Sequence, residues 1–152
     1  MNPAKATDAD RQWMLEAIDL ARKCPPSSTA FSVGAIIVGK DGREIVNGYS
    51  RDVDIHAHAE ESALSRAGET SLRDATLYST LEPCSVRKSR PTTCTELILA
   101  AGIPRVVIAW REPSLFVADC QGVEILQEHG VEVVELPDLA ALASAVGMPK
   151  SL

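Results

Sequence analysis

The stretch "ATLYSTLEPCSVRKSRPTTCTELILAAGIPRVVIAW", residues 75–110, decides the fold. It opens on "ATLYST" (75–80) and closes on "RVVIAW" (105–110), two short runs rich in β-branched and aromatic residues that read as strands. Between them "TTCTELILAAG" (92–102) has helical character, with Pro91 at its entrance and Gly102 at its exit. Two strands joined through a helix run parallel with a right-handed crossover.

The same alternation continues outward. Downstream, "QGVEILQEHG" (121–130) reads as a helix, "VEVVEL" (131–136) as a strand and "LAALASAVG" (139–147) as a final short helix. Upstream, "HAEESALSRAG" (58–68) reads as a helix closed by Gly68. "FSVGAIIVG" (31–39) and "REIVNGY" (43–49) are strands joined by a "KDG" hairpin turn. Thr7 and Asp10 start a first helix through "RQWMLEAIDLARK" (11–23), with Trp13, Met14, Ala17, Ile18 and Ala21 on one stripe. "CPPSS" ends it. A hairpin followed by alternating helices and strands predicts an α/β fold, a three-layer α/β/α sandwich around a five-stranded mixed sheet. No internal repeat appears, and 152 residues suit a single domain over 1–152.

Composition narrows the function. A net charge of −6 argues against nucleic acid as the main partner. No apolar run reaches the roughly 18 residues that span a bilayer, and "MNPAKATDADRQW" is too polar for a signal peptide. The expectation is a cytoplasmic protein whose four cysteines are thiols or metal ligands rather than disulfides.

Three sequence elements converge where open α/β sheets place active sites, at the carboxyl ends of strands. They are "HAE" (58–60) at a helix start, "EPC" (82–84) after a strand, and Cys94 at the next helix start. A catalytic zinc takes three nitrogen or sulfur ligands and keeps one position open. His58, Cys84 and Cys94 supply an imidazole and two thiolates, and a helix N-terminus favours ionised Cys94. Glu60 lies two residues from His58, roughly 200° around a helix. Both can serve one metal only if it sits off the first turn, with Glu60 carrying protons as general acid and base. H-x-E with P-C-x-x-C is the signature of zinc base deaminases; here the second cysteine comes late, after nine intervening residues.

These residues resemble the cytidine-deaminase-like superfamily, most closely the deaminase domain of the bifunctional riboflavin-biosynthesis deaminase/reductase. The similar stretches are "VGAIIV", "HAEESAL", "TLYSTLEPCS", "RPTTC", "LILAAGIPRVVIA" and "REP" (111–113), covering most of residues 10–135. The resemblance implies one Zn²⁺ per chain on His58, Cys84 and Cys94, with Glu60 as the proton shuttle. The backbone of Ala59 and the chain near Thr80 and Leu81 would hold the base edge. The implied reaction replaces the exocyclic amine of a small heterocycle by a carbonyl and releases ammonia. That family has a long gap between its cysteines with a basic residue before the second, a position matched by Arg90. It also implies a homodimer or higher homo-oligomer.

Two departures bear on the substrate. Ala30 stands where the riboflavin enzymes carry a substrate-contacting asparagine, and "VRKS" in a longer loop replaces their histidine- and glycine-containing sequence. No reductase domain follows within these residues. The substrate is therefore a small aminopyrimidine or related heterocycle, phosphorylated if Arg90 binds an anion. A cytidine- or dCMP-type deaminase, a specialised-metabolism base deaminase and a structural zinc module remain alternatives.

Other residues carry two readings each. His56 is a solvated loop histidine or a substrate contact. Arg87, Lys88 and Arg90 are a solvated charge run or an anion site. Phe31 stacks on a base or belongs to the core, and Trp110 lines the pocket or does not. Cys24 and Cys120 are read as structural.

Overall fold

The computed structural model describes residues 5–87, 91–113 and 120–150. The elements follow as α1 (Asp8–Ala21), β1 (Gly34–Val38), β2 (Glu44–Tyr49), α2 (Ala59–Ala67), β3 (Thr76–Leu81), α3 (Cys94–Ala101), β4 (Arg105–Trp110), α4 (Gly122–Glu128), β5 (Glu132–Glu135) and α5 (Ala140–Gly147). The sheet runs β2-β1-β3-β4-β5. Pairs β2/β1 and β1/β3 are antiparallel, whereas β3/β4 and β4/β5 are parallel, as helix-linked strands require. The expected α/β/α sandwich with a five-stranded mixed sheet is the observed fold.

Local chemistry sets the starts of α1 and α3 and the end of α3. Thr7 Oγ1 accepts the Asp10 amide (3.1 Å) while Asp10 Oδ2 accepts the Thr7 amide (2.9 Å), a complete capping box. Thr93 caps α3 by accepting the Glu96 amide (3.2 Å), and Gly102 closes that helix at φ 74°.

The sheet separates two cores. On one face, α1 and α5 bury Met14, Ala17, Ile18, Ala143 and Val146 against Ile36, Tyr78 and Val107. On the other, α2, α3 and α4 bury Ala59, Ala63, Ile98 and Leu126 against Ile37, Leu77 and Ile108. Trp13 is half-buried at the edge of the first core, less deeply than its place on the stripe suggests. Two glycines let helix and sheet touch. A Cβ on Gly34 would lie 1.9 Å from the Ala17 carbonyl oxygen, and one on Gly48 2.6 Å from the Ala63 nitrogen. Gly48 thus seats α2, and the site at its N-terminus, directly on β2.

Strand β1 is shorter than the 31–39 run expected from the sequence. The amides ahead of it bond elsewhere: Ser32 N–H donates to the Gly147 carbonyl (2.9 Å) and Val33 N–H to Ser50 Oγ (2.9 Å). Before α5, Pro137–Leu139 forms a 3₁₀ turn, which its proline starts. No helix among the described residues is long and apolar enough to cross a membrane.

Candidate active site

His58 is the N-cap of α2, its amide donating to Glu61 Oε1 at 3.2 Å. Cys84 lies three residues past β3, and Cys94 is the first residue of α3. Their ligand atoms lie within 4.8 Å of one another. His58 Nδ1 is 3.5 Å from Cys84 Sγ and 3.4 Å from Cys94 Sγ. A tetrahedral zinc with Zn–N near 2.0 Å and Zn–S near 2.3 Å holds such a pair about 3.5 Å apart. The donor set and its spacing fit zinc, with Nδ1 as the imidazole's metal-facing nitrogen.

The nine-residue gap closes because the first turn of α3 wraps around Cys84. Cys94 N–H donates to Cys84 Sγ (3.2 Å), and Thr95 donates to the Cys84 carbonyl through its amide (3.2 Å) and hydroxyl (2.7 Å). The leading amide of α3, expected to favour ionised Cys94, is given to Cys84. The Cys94 thiol also donates to Cys84, and with His58 beside it the Cys84 thiol falls to about 4. Cys94 moves upward, because it gives its hydrogen bond to Cys84, is buried, and faces Glu60.

Glu60 is 4% exposed, in the first turn of α2. Ser79 Oγ lies 3.2 Å from Glu60 Oε1 and 2.8 Å from the Leu81 carbonyl oxygen. Burial pushes its carboxyl above the ordinary range, against the pull of His58. A carboxyl group so held is suited to take and return a proton.

A second buried glutamate fixes the "EPC" corner. Glu82 accepts the Glu112 amide (3.1 Å) and the Val123 amide at the start of α4 (3.0 Å), while its own amide donates to the Trp110 carbonyl (2.8 Å).

A pocket of about 310 Å³ opens on these groups. Phe31, His56, His58, Glu60, Leu81 and Cys84 line it. Ala59 sits between His58 and Glu60 with its side chain fully buried in the core. Trp110 stands one layer back: its ring meets Phe31 edge-on at 5.5 Å, so it supports the wall without being among the lining residues. Phe31 is at once buried and pocket-lining, so both of its readings describe it. His56 is exposed at the rim and stands outside the three-ligand group. Lys88 and Arg90 lie outside the described residues.

Arg87 does not belong to a solvated charge run. Its side chain is 3% exposed and donates to the His56 carbonyl (2.9 Å), the Thr92 carbonyl (3.3 Å) and Glu61 Oε1 (3.2 Å). Glu61 thereby accepts from both Arg87 and the His58 amide, tying the cysteine loop to the start of α2. Nothing in "VRKS" distinguishes a buried arginine from an exposed one; only the closed loop does. Glu112, also unforeseen, lines the pocket with its carboxyl pushed up to about 7 by burial and by neighbouring acids and Cys84. The "REP" triplet was its only sequence trace.

Comparison with known proteins agrees with this geometry. Residues 7–110 match the model of the cytidine and deoxycytidylate deaminase zinc-binding region. The chain is 41% identical over 128 residues to the diaminohydroxyphosphoribosylamino-pyrimidine deaminase of Schizosaccharomyces pombe, covering 82% of this chain and 31% of that protein. It is 33% identical over 135 residues to the cytosine deaminase of Candida albicans, covering 85% and 81% respectively. Among solved structures, the Rib2 deaminase of Aspergillus oryzae in complex with DARIPP superposes with a TM-score of 0.81 at 25% identity, over 92% of this chain and 90% of that one. The chain spans about a third of the length of the riboflavin-pathway relatives it matches. With the zinc-binding region matched over residues 7–110 and the fold shared across nearly the whole chain, this protein belongs to the cytidine and deoxycytidylate deaminase family.

Proposed function

We propose that residues 1–152 form a single deaminase domain that hydrolyses the exocyclic amine of a phosphoribosyl-bearing aminopyrimidine. One observation carries the deaminase reading: a buried Glu60 beside a His58, Cys84 and Cys94 set spaced for zinc. The three ligands would hold one Zn²⁺ per chain. Zinc so bound supplies Lewis acidity that lowers the pKa of a water to about 7. Glu60 takes a proton from the attacking water and passes it on to the amine, so a C–O bond forms, the C–N bond breaks and ammonia leaves. Ser79 orients the Glu60 carboxylate through its hydroxyl. Phe31 packs against the ring, and Leu81 and the backbone of Ala59 hold its edge. His56 at the rim meets the more polar end of the substrate, with Trp110 steadying Phe31, and Arg90 is assigned to an anionic group of the substrate by residue type alone.

A second reading, deamination of free cytosine, is favoured by the exposed aliphatic side chains at the pocket rim. Ile55 is 75% and Val86 53% exposed, and both line the pocket. The Candida albicans relative adds weight to it. A homodimer or larger homo-oligomer in the cytoplasm completes the proposal. All four cysteines are free thiols, which suits a reducing compartment.

Ammonia release from zinc-loaded protein, compared across the phosphoribosylated diaminopyrimidine, cytosine, cytidine and dCMP, tests both readings. Preference for the first compound supports the main one, and preference for cytosine the second. No ammonia from any of them overturns both. Elemental analysis and light scattering check the metal count and the oligomer.

A further inference from the structure

The turn between β2 and α2 contains a residue that no motif marks. Arg51 has φ 61°, a left-handed conformation that arginine seldom adopts. Its amide donates to the Ala57 carbonyl at 2.8 Å, closing the turn immediately ahead of His58. Its guanidinium reaches across to the segment that precedes β1. Nε and Nη2 donate to the Pro25 carbonyl (3.1 and 2.7 Å), Nη1 to the Phe31 carbonyl (3.0 Å), and Nη2 to Ser32 Oγ (3.0 Å).

The two segments joined in this way are two walls of one pocket. Residues 29–33 contribute Thr29, Ala30 and Phe31, and the turn contributes Ile55, His56 and His58. The first wall lies outside the sheet, since strand pairing begins at Gly34. It is also tied to residues 147–150, from Ser32 N–H to the Gly147 carbonyl and from Lys150 N–H to the Ser27 carbonyl (both 2.9 Å), and to Ser50, whose hydroxyl accepts the Val33 amide (2.9 Å) and whose amide donates to the Val33 carbonyl (3.0 Å). On the side facing His58, Ser50 pins Val33 at its end, and the Arg51 side chain holds Pro25, Phe31 and Ser32. A planar fork with donors in fixed directions suits three separate acceptors; a lysine ammonium on a flexible stem does not.

We propose that Arg51 is a positioning residue for substrate recognition: its guanidinium sets the distance between the Phe31 wall and the His58 end of the pocket. Arg51 borders the pocket, but its four guanidinium bonds hold it against Pro25, Phe31 and Ser32, so it acts through the wall and not on the reacting atoms. The left-handed backbone is part of the device, since it lets one residue close the turn with its amide and clamp the opposite wall with its side chain. This inference rests on the deaminase reading for its kinetic consequence, though not for its structural one.

The test uses the zinc-loaded full chain with R51G and R51K. Glycine accepts φ 61° without strain, so R51G removes the clamp and spares the turn. The expected result is a KM raised about tenfold or more with kcat within about threefold of wild type, since misplacement affects binding of the ring more than proton transfer. Zinc content stays unchanged, and added guanidinium ion lowers the KM of R51G. Hydrogen exchange at amides 27–33 speeds up in both variants while β3 stays protected. Wild-type KM together with wild-type exchange would overturn the proposal, as would loss of zinc from R51G with kcat falling alongside. If the wild-type chain deaminates no pyrimidine, the functional reading fails, and the exchange experiment still decides whether Arg51 holds the wall.

Discussion

Asp10 and Glu60 are buried carboxylates on opposite faces of one sheet, 1% and 4% exposed. Adjacent residues of β3 serve them: Tyr78 donates its hydroxyl to Asp10 (2.8 Å), and Ser79 presents its hydroxyl to Glu60 (3.2 Å). That pairing follows from strand alternation, which sends neighbouring side chains to opposite faces. The difference is the cation. Arg105 meets Asp10 with a fork of two bonds, 2.8 and 2.7 Å. Burial alone would raise the Asp10 carboxyl, but Arg105, the Thr7 amide and Tyr78 outweigh it and hold the group well below the usual carboxylate range. Glu60 has no such fork among the described residues, and its carboxyl moves up. One face locks a carboxylate to hold structure; the other leaves one able to change its proton.

The contrast breaks if the two residues can trade consequences. Glu60→Gln should lower turnover by roughly 10²–10⁴, the range for losing a general acid–base group. It should retain zinc by elemental analysis and unfold no more easily than wild type, because a buried acid that no arginine fork neutralises is removed. A structural zinc module would instead show no change. Asp10→Asn should do the reverse. Removing one partner of a buried pair costs about 3 kcal/mol, the low end because Arg105 reaches solvent. Urea unfolding reads this loss, while turnover per folded, zinc-loaded molecule stays at wild type. A fall in kcat of the folded Asp10→Asn protein would show that the faces are not separable.

Acid sharpens the same comparison with a smaller effect. The folded pKa of Asp10 is depressed, so its contribution to stability is fully present above the unfolded value of about 3.9 and is lost as pH falls below it. Wild-type stability should therefore decline more steeply than that of Asp10→Asn between about pH 5 and pH 2, measured by urea midpoints. Parallel curves would assign the ion pair no part in acid stability.

Element order and the residues that cluster as the candidate metal site were legible because each has a local signature. The strands "ATLYST" and "RVVIAW", the cap at Thr7 and the stop at Gly102 all declare themselves within a few residues. His58, Cys84 and Cys94 were legible by residue type and by position at element ends. What escaped depends on closure over long separations. Arg87 is buried only once the cysteine loop folds against Glu61 and the His56 carbonyl. Arg51 and Pro25 lie 26 residues apart, and a left-handed arginine has no sequence mark. Which cysteine the helix amide reaches escaped for the same reason. Position at a helix start locates Cys94, but which sulfur receives the helix's amide is a matter of how the loop returns.

Thr93 probes that return with the smallest expected effect. Its hydroxyl caps α3 by accepting the Glu96 amide, and replacing such a cap with alanine costs about 1 kcal/mol. On the Asp10 face a loss of that size would only lower the unfolding midpoint. Here the frayed turn is the one whose Cys94 amide holds Cys84 Sγ and whose Thr95 holds the Cys84 carbonyl. Thr93→Ala should therefore release zinc to a chelator faster than wild type, and Thr93→Ser, which keeps the hydroxyl, should restore the slower rate. Asp10→Asn, although less stable overall, should release zinc at the wild-type rate under native conditions. If Thr93→Ala and Asp10→Asn release zinc in proportion to their lost stability, metal retention follows global unfolding and not the local wrap of α3 around Cys84.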